Sequence, residues 1–135
     1  MMKRYLCLSL VCLLSVLCMS QTKTDSYVEV IYFHGKQRCA TCKAIEKHTK
    51  AVVETDFAEQ LKKGRLRFKE VDISTPEGEK LAEKYRVSWS SLYVNKWSNG
   101  KEERNDLTRF GFQNARSKTE SFKQGLKQKI EQLLD

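Results

Sequence analysis

Two cysteines three residues apart, Cys39 and Cys42, place the tightest limit on what this chain can fold into. Before them runs Tyr27 to His34 (Tyr-Val-Glu-Val-Ile-Tyr-Phe-His), rich in β-branched and aromatic residues and almost continuously apolar after Glu29. That is the composition of a strand covered on both faces. Gly35 to Arg38 breaks the run. From Cys39 the apolar positions change period: Cys42, Ile45, Thr49 and Val52 recur at steps of three and four, giving a helix one core-facing stripe. Two thiols at a strand-to-helix junction can close a disulfide, attack one, or hold a soft ion.

The residues ahead of this unit set its compartment. Lys3 and Arg4 precede an apolar block from Tyr5 to Cys18, followed by Met19, Ser20 and a polar stretch to Ser26. This is the layout of a secretory signal. The block is 14 residues long, short of the roughly 20 a membrane-spanning helix needs. Cys18 and Ser20 fit a small-x-small cleavage rule, whereas Leu17 is bulky where a lipid-anchoring signal at Cys18 wants a small residue. The expectation is a signal peptide over 1–20, a polar leader over 21–26 and one domain over 27–135. The protein would then be periplasmic or secreted, with no membrane span after cleavage.

Cleavage removes Cys7, Cys12 and Cys18 and leaves only the close pair. An exported chain meets an oxidising compartment, where disulfides persist. A bridge closing so small a ring removes little unfolded-state entropy. A purely structural staple is therefore a poor reading of it. Without Lys3 and Arg4 the chain carries 23 basic and 17 acidic residues, a net charge of +6. The cations are mixed with acids and no basic block is interleaved with aromatics. With export, this gives no reason to expect nucleic acid as a partner.

The remaining elements follow from local signals. Phe57 to Lys63 reads as a shorter helix stopped by Gly64, and Arg65 to Ile73 as a second strand with Leu66, Phe68 and Val71 toward a core. Ser74, Pro76 and Glu77 mark a helix start by cap, first-turn proline and capping box. That helix carries Leu81 and Tyr85 and ends near Arg86. Trp89 to Asn95 is a third strand, and Asn99-Gly100 a tight hairpin. Lys101 to Phe110 reads as a fourth strand ended by Gly111. A last helix over Ala115 to Leu134 carries Phe122, Leu126, Ile130 and Leu133 at helical spacing. This order predicts an α/β fold: a mixed central sheet of about four strands with helices on both faces.

At the start of a helix, unpaired N–H groups and the macrodipole favour negative charge, so a cysteine there ionises more readily. Cys39 comes first and is assigned the nucleophile. Arg38 beside it adds positive potential. Cys42, one turn in, is the resolving thiol. His34 is a candidate proton shuttle, Glu46 a candidate acceptor for the Cys42 proton, and Ser90 and Ser91 candidates to line the site. Each also has an ordinary reading: a loop-facing histidine, a surface partner for Lys50, two strand residues. His48 reads as a helix-boundary residue, and Trp89 and Trp97 as packing and hairpin residues.

The run from Tyr32 to Glu46, with the element order and Arg109-Phe110-Gly111 before the last helix, resembles the thioredoxin superfamily over essentially the whole of Tyr27 to Leu134. More narrowly, Arg38-Cys39-x-x-Cys42-x-x-Ile45-Glu46 resembles an exported thioredoxin-like family catalogued as nitrophenyl-compound nitroreductase subunit and linked by name to arsenic resistance. Nothing in the chain reads as a flavin site, so nitroreduction is not expected. The superfamily places a cis-proline at the head of the third strand. Here Ser91, after Ser90, takes that place, and a trans bond is expected because a non-proline cis bond costs about 2.5–4 kcal/mol. Its buried carboxylate near the resolving thiol is also missing, with Tyr32 near that place.

The resemblance implies thiol–disulfide exchange or electron relay with a partner protein's thiol or disulfide, using no cofactor beyond the cysteines. Soft-metal or arsenite binding by Cys39 and Cys42 is the alternative. An interaction module that has lost its redox task is a third.

Overall fold

The computed structural model describes residues 26–135; the expected signal peptide, and the leader up to residue 25, lie outside them. Strand β1 (Tyr27–His34) is followed by helices α1 (Ala40–Asp56) and α2 (Ala58–Lys62), then β2 (Leu66–Asp72) and α3 (Pro76–Tyr85). A hairpin of β3 (Ser91–Ser98) and β4 (Lys101–Glu103) leads to α4 (Thr108–Asn114) and α5 (Thr119–Leu134). The sheet order is β2-β1-β3-β4. β1 pairs parallel with β2 through the helical crossover and antiparallel with β3. This mixed four-stranded sheet with helices on both faces is the thioredoxin-like fold the sequence resemblance implied.

The apolar run of β1 has the predicted cause. Val28, Val30 and Tyr32 face one core, with Ile45, Val52 and Val53 of α1 and Phe122, Leu126 and Ile130 of α5. Ile31 and Phe33 face the other, under Tyr85 and Leu81 of α3. The period of two sends neighbours to opposite faces, and the central position of β1 buries both. The same rule corrects the reading of the second strand. Leu66 and Phe68 join the first core, but Val71 packs into the second. β2 serves two cores rather than one.

Several boundaries also move. The third helix is capped by Thr75, not Ser74: Thr75 Oγ1 accepts the Gly78 N–H at 3.0 Å. Ser74 instead donates its N–H and hydroxyl to the Asp72 carboxylate, at 2.9 and 2.6 Å. The hairpin stands, with Asn99 and Gly100 both at positive φ (52° and 73°), as its turn type demands. The third strand begins at Ser91, after Trp89 and Ser90, and runs on to Ser98.

The predicted fourth strand ends after three residues, at Glu103. Thr108 to Asn114 is helical. The Asp106 carboxylate accepts the Thr108 N–H at 2.9 Å, and Thr108 Oγ1 accepts the Leu92 N–H at 3.0 Å, which pins the new helix to β3. Gly111 does not end a strand. It lets α4 lie against α1, where an added Cβ would stand 3.1 Å from Ile45 Cδ1. Ala115 closes α4, and the last helix starts at Thr119 with its four predicted apolar contacts buried.

Candidate functional site

The dithiol sits where β1, the most enclosed strand, hands over to α1. Cys39 and Cys42 are joined as a disulfide, with Cα atoms 4.9 Å apart. Cys39 is the N-cap residue of α1: its sulfur accepts the Cys42 N–H at 3.0 Å. That contact and the helix dipole would hold negative charge on the same sulfur in the reduced form. Cys39 is exposed, whereas Cys42 is buried at the head of the α1 stripe. One sulfur is thus open to attack and the other shielded.

Beneath the bridge stands Tyr32, fully buried, whose hydroxyl donates to the Cys42 carbonyl at 2.8 Å. Burial pushes its phenol above the ordinary tyrosine range, while the Ser90 hydroxyl pulls the other way. A phenol held neutral is a donor and not a base. Tyr32 therefore positions the turn that carries Cys42 and takes no proton from it.

Arg38, His34 and Glu46 come together, paired chiefly with one another. The Arg38 guanidinium is ion-paired with the Glu46 carboxylate. Its second nitrogen lies 3.3 Å from His34 Nε2. Because arginine can only donate, His34 accepts there and carries its proton on Nδ1, 3.1 Å from the Gly35 carbonyl oxygen. Both ring nitrogens are engaged, and Glu46 is paired with Arg38 rather than with Lys50. The three residues form a bracket between the end of β1 and the first turns of α1, beside the disulfide.

On the other side the bridge opens into a groove of about 320 Å³, lined by Gly35, Gln37, Cys39, Cys42, Ile73, Ser88, Trp89, Ser90 and Phe112. Ser90 lines it as predicted. Ser91 is buried at the head of β3, its hydroxyl donating to the Trp89 carbonyl at 3.2 Å. No peptide bond among the described residues is cis, so the Ser90–Ser91 bond is trans as expected. Trp89 is not a packing residue. It is 66% exposed and stacks on Phe112 with ring centroids 5.7 Å apart. The sequence pattern does not reveal this pair, because it puts Trp89 inside a strand and Phe112 outside any helix. Trp97 is a hairpin residue, stacked on Tyr27. His48 lies half-buried on α1; burial, then Lys123 and Lys47, hold its pKa below the ordinary value.

A thioredoxin-like sheet with a Cys-x-x-Cys disulfide on the first turn of its crossover helix defines the class: a dithiol protein of the thioredoxin-like fold. No family model matches the chain, and no curated protein matches it. Among solved structures it is similar to a thioredoxin from Thermus thermophilus, at 23% identity over 77% of this chain and 76% of that one, with a TM-score of 0.47. It is similar to a malarial protein at 19% identity, 73% and 96% coverage and a TM-score of 0.43. A third is thioredoxin-2, a component of the malaria parasite protein secretion machinery, at 25% identity, 60% and 70% coverage and a TM-score of 0.40. The narrower resemblance to a nitroreductase-subunit family gains no support from these. The fold stands on the strand order and connections described above.

Proposed function

We propose that this chain is an exported thiol–disulfide exchange protein working through Cys39 and Cys42. The observation that carries the proposal is the asymmetry of the pair: an exposed sulfur at the helix N-cap, facing an open groove, bonded to a buried one. Reduced Cys39 attacks a partner disulfide, and a mixed disulfide forms. Cys42 then attacks the Cys39 sulfur and releases the partner as a thiol. Export is supported by the signal pattern in residues 1–20. Among the described residues no helix is long and apolar enough to cross a membrane.

The test is substitution of the exposed sulfur. Cys39→Ser abolishes turnover with a model disulfide, whereas Cys42→Ser still forms a mixed disulfide through Cys39 but does not release it. Undiminished exchange in Cys39→Ser contradicts the proposal.

Capture of a soft ion is the second reading, favoured by Ser91 standing where the family pattern has proline. Two thiolates suit Cu(I) or trivalent arsenic. No cluster of three or more His, Cys, Asp or Glu side chains exists among the described residues.

A further inference from the structure

Trp89 is the one large apolar side chain left exposed among the described residues. An isolated exposed tryptophan needs no explanation, but this one is held in place. Its ring lies nearly parallel to that of Phe112, at 19°, so β3's leading loop and α4 present a single aromatic wall. The wall borders the groove that also holds Cys39, and no lining residue there is charged. Around it the chemistry changes. Lys36, Lys43 and Arg109 are exposed, each next to a lining residue in sequence or one helical turn from one. None is in an ion pair among the described residues. Of the nearby carboxylates, Glu46 is ion-paired with Arg38, whereas Asp72 accepts from Ser74 and keeps its charge.

From this layout we propose that Trp89 and Phe112 select the partner: a polypeptide disulfide with an aromatic side chain beside its reactive cysteine and acidic residues further out. The inference rests on the exchange reading above. The aromatic side chain stacks on the Trp89 face and brings its neighbouring sulfur to Cys39, while the cationic rim meets the acidic flanks. The reaction balances within the two molecules. The partner's S–S bond breaks as Cys39 forms a mixed disulfide, and the first partner thiolate leaves and takes up a proton. Cys42, having lost its proton, then displaces the second partner thiolate and closes the Cys39–Cys42 bond. Two electrons pass from the dithiol to the partner.

The test is single-turnover reduction of symmetric cystine peptides by the pre-reduced protein. One peptide carries phenylalanine beside cysteine with flanking aspartates, a second has serine for phenylalanine, and a third has lysines for aspartates. Bis(2-hydroxyethyl) disulfide serves as the small probe. Wild type should reduce the aromatic peptide about fivefold faster than its serine counterpart. That ratio should fall toward one in Trp89→Ser and return in large part in Trp89→Phe. The aspartate peptide should outpace the lysine peptide at low salt, with the gap closing as salt rises. Because each ratio is taken within one protein, a general loss of activity does not move it. A ratio of one in wild type, an unchanged ratio in Trp89→Ser, or a lysine peptide as fast as the aspartate one overturns the proposal. If the small probe is also inert with wild type, the exchange reading fails and takes the selectivity with it. If the probe reacts and the peptides are not told apart, only the selectivity falls.

Discussion

Two arginine-centred clusters lie at opposite ends of β3, and they do different things. Near the hairpin, Arg104 donates to Glu102 at 2.9 Å and lies over the Tyr85 ring at 3.9 Å. Tyr85 donates its hydroxyl to the same carboxylate, and Asn95 donates to the Tyr85 oxygen at 2.9 Å. The Asn95 side-chain Oδ1 accepts the Asn105 backbone N–H at 3.1 Å. The side chains of Arg104, Glu102, Tyr85 and Asn95 all have partners within the cluster, while the buried Asn105 Nδ2 beside them has none, and the whole ties the short edge strand to α3. At the dithiol, Arg38 likewise joins a carboxylate and a ring. That bracket stands beside a sulfur left open to solvent and a groove walled by an exposed tryptophan. A satisfied polar cluster is thus no sign of chemistry by itself. What marks the site is a reactive atom that its surroundings hold in place and leave uncovered.

The contrast can be broken by stability measurements. Glu102 is the shared acceptor of the hairpin cluster, and its side chain is only 11% exposed. Glu102→Gln should cost about 1.5 kcal/mol at neutral pH, because its hydrogen bonds lose their charge. Chemical denaturation measures this, and disulfide exchange should be untouched. Desolvation works to raise the Glu102 pKa, but hydrogen bonds from Tyr85 and Arg104 outweigh it and leave it below the ordinary carboxylate value. The folded value lies under the unfolded one. The contribution is therefore present above the ordinary carboxylate range and lost as pH falls through the folded value. Wild type and Glu102→Gln should converge in stability on that acid limb. Slowed exchange in this variant would mean the two clusters are not separate.

A smaller effect should appear at the other cluster. Glu46→Gln removes the negative partner of Arg38, so the potential at Cys39 becomes more positive and its thiolate forms at lower pH. The rate of Cys39 alkylation against pH should shift to the acid side, modestly because Arg38 is partly exposed and solvent-screened. Arg38→Gln should shift it the opposite way. No movement in either variant would make the bracket purely structural.

Much of this was legible beforehand because it rests on period and turn chemistry. The apolar run of β1, the α1 stripe, the Asn99-Gly100 turn and the four contacts of α5 each follow from one local rule. The signal for α4 is masked because Lys101 to Glu103 is a real strand, and the polar residues after it read as its continuation. Leu107, Gly111 and Ala115, four apart, carried the helical signal. The bracket was hidden for another reason. Arg38 and Glu46 are eight residues apart across a loop and a helix start, where spacing fixes no geometry. The exposure of Trp89 depended on where β3 begins, and a shift of two residues turned a core residue into a wall of the site.

Thiol–disulfide exchange requires that Cys39 and Cys42 form a reversible redox pair with one open sulfur. Equilibrating the protein with graded ratios of reduced and oxidised dithiothreitol, and trapping free thiols by alkylation, tests it most directly. A single two-electron transition between dithiol and disulfide is expected, with Cys39 alkylated ahead of Cys42 on brief exposure. A pair that stays reduced in oxidising buffer, or in which Cys42 reacts first, would contradict it.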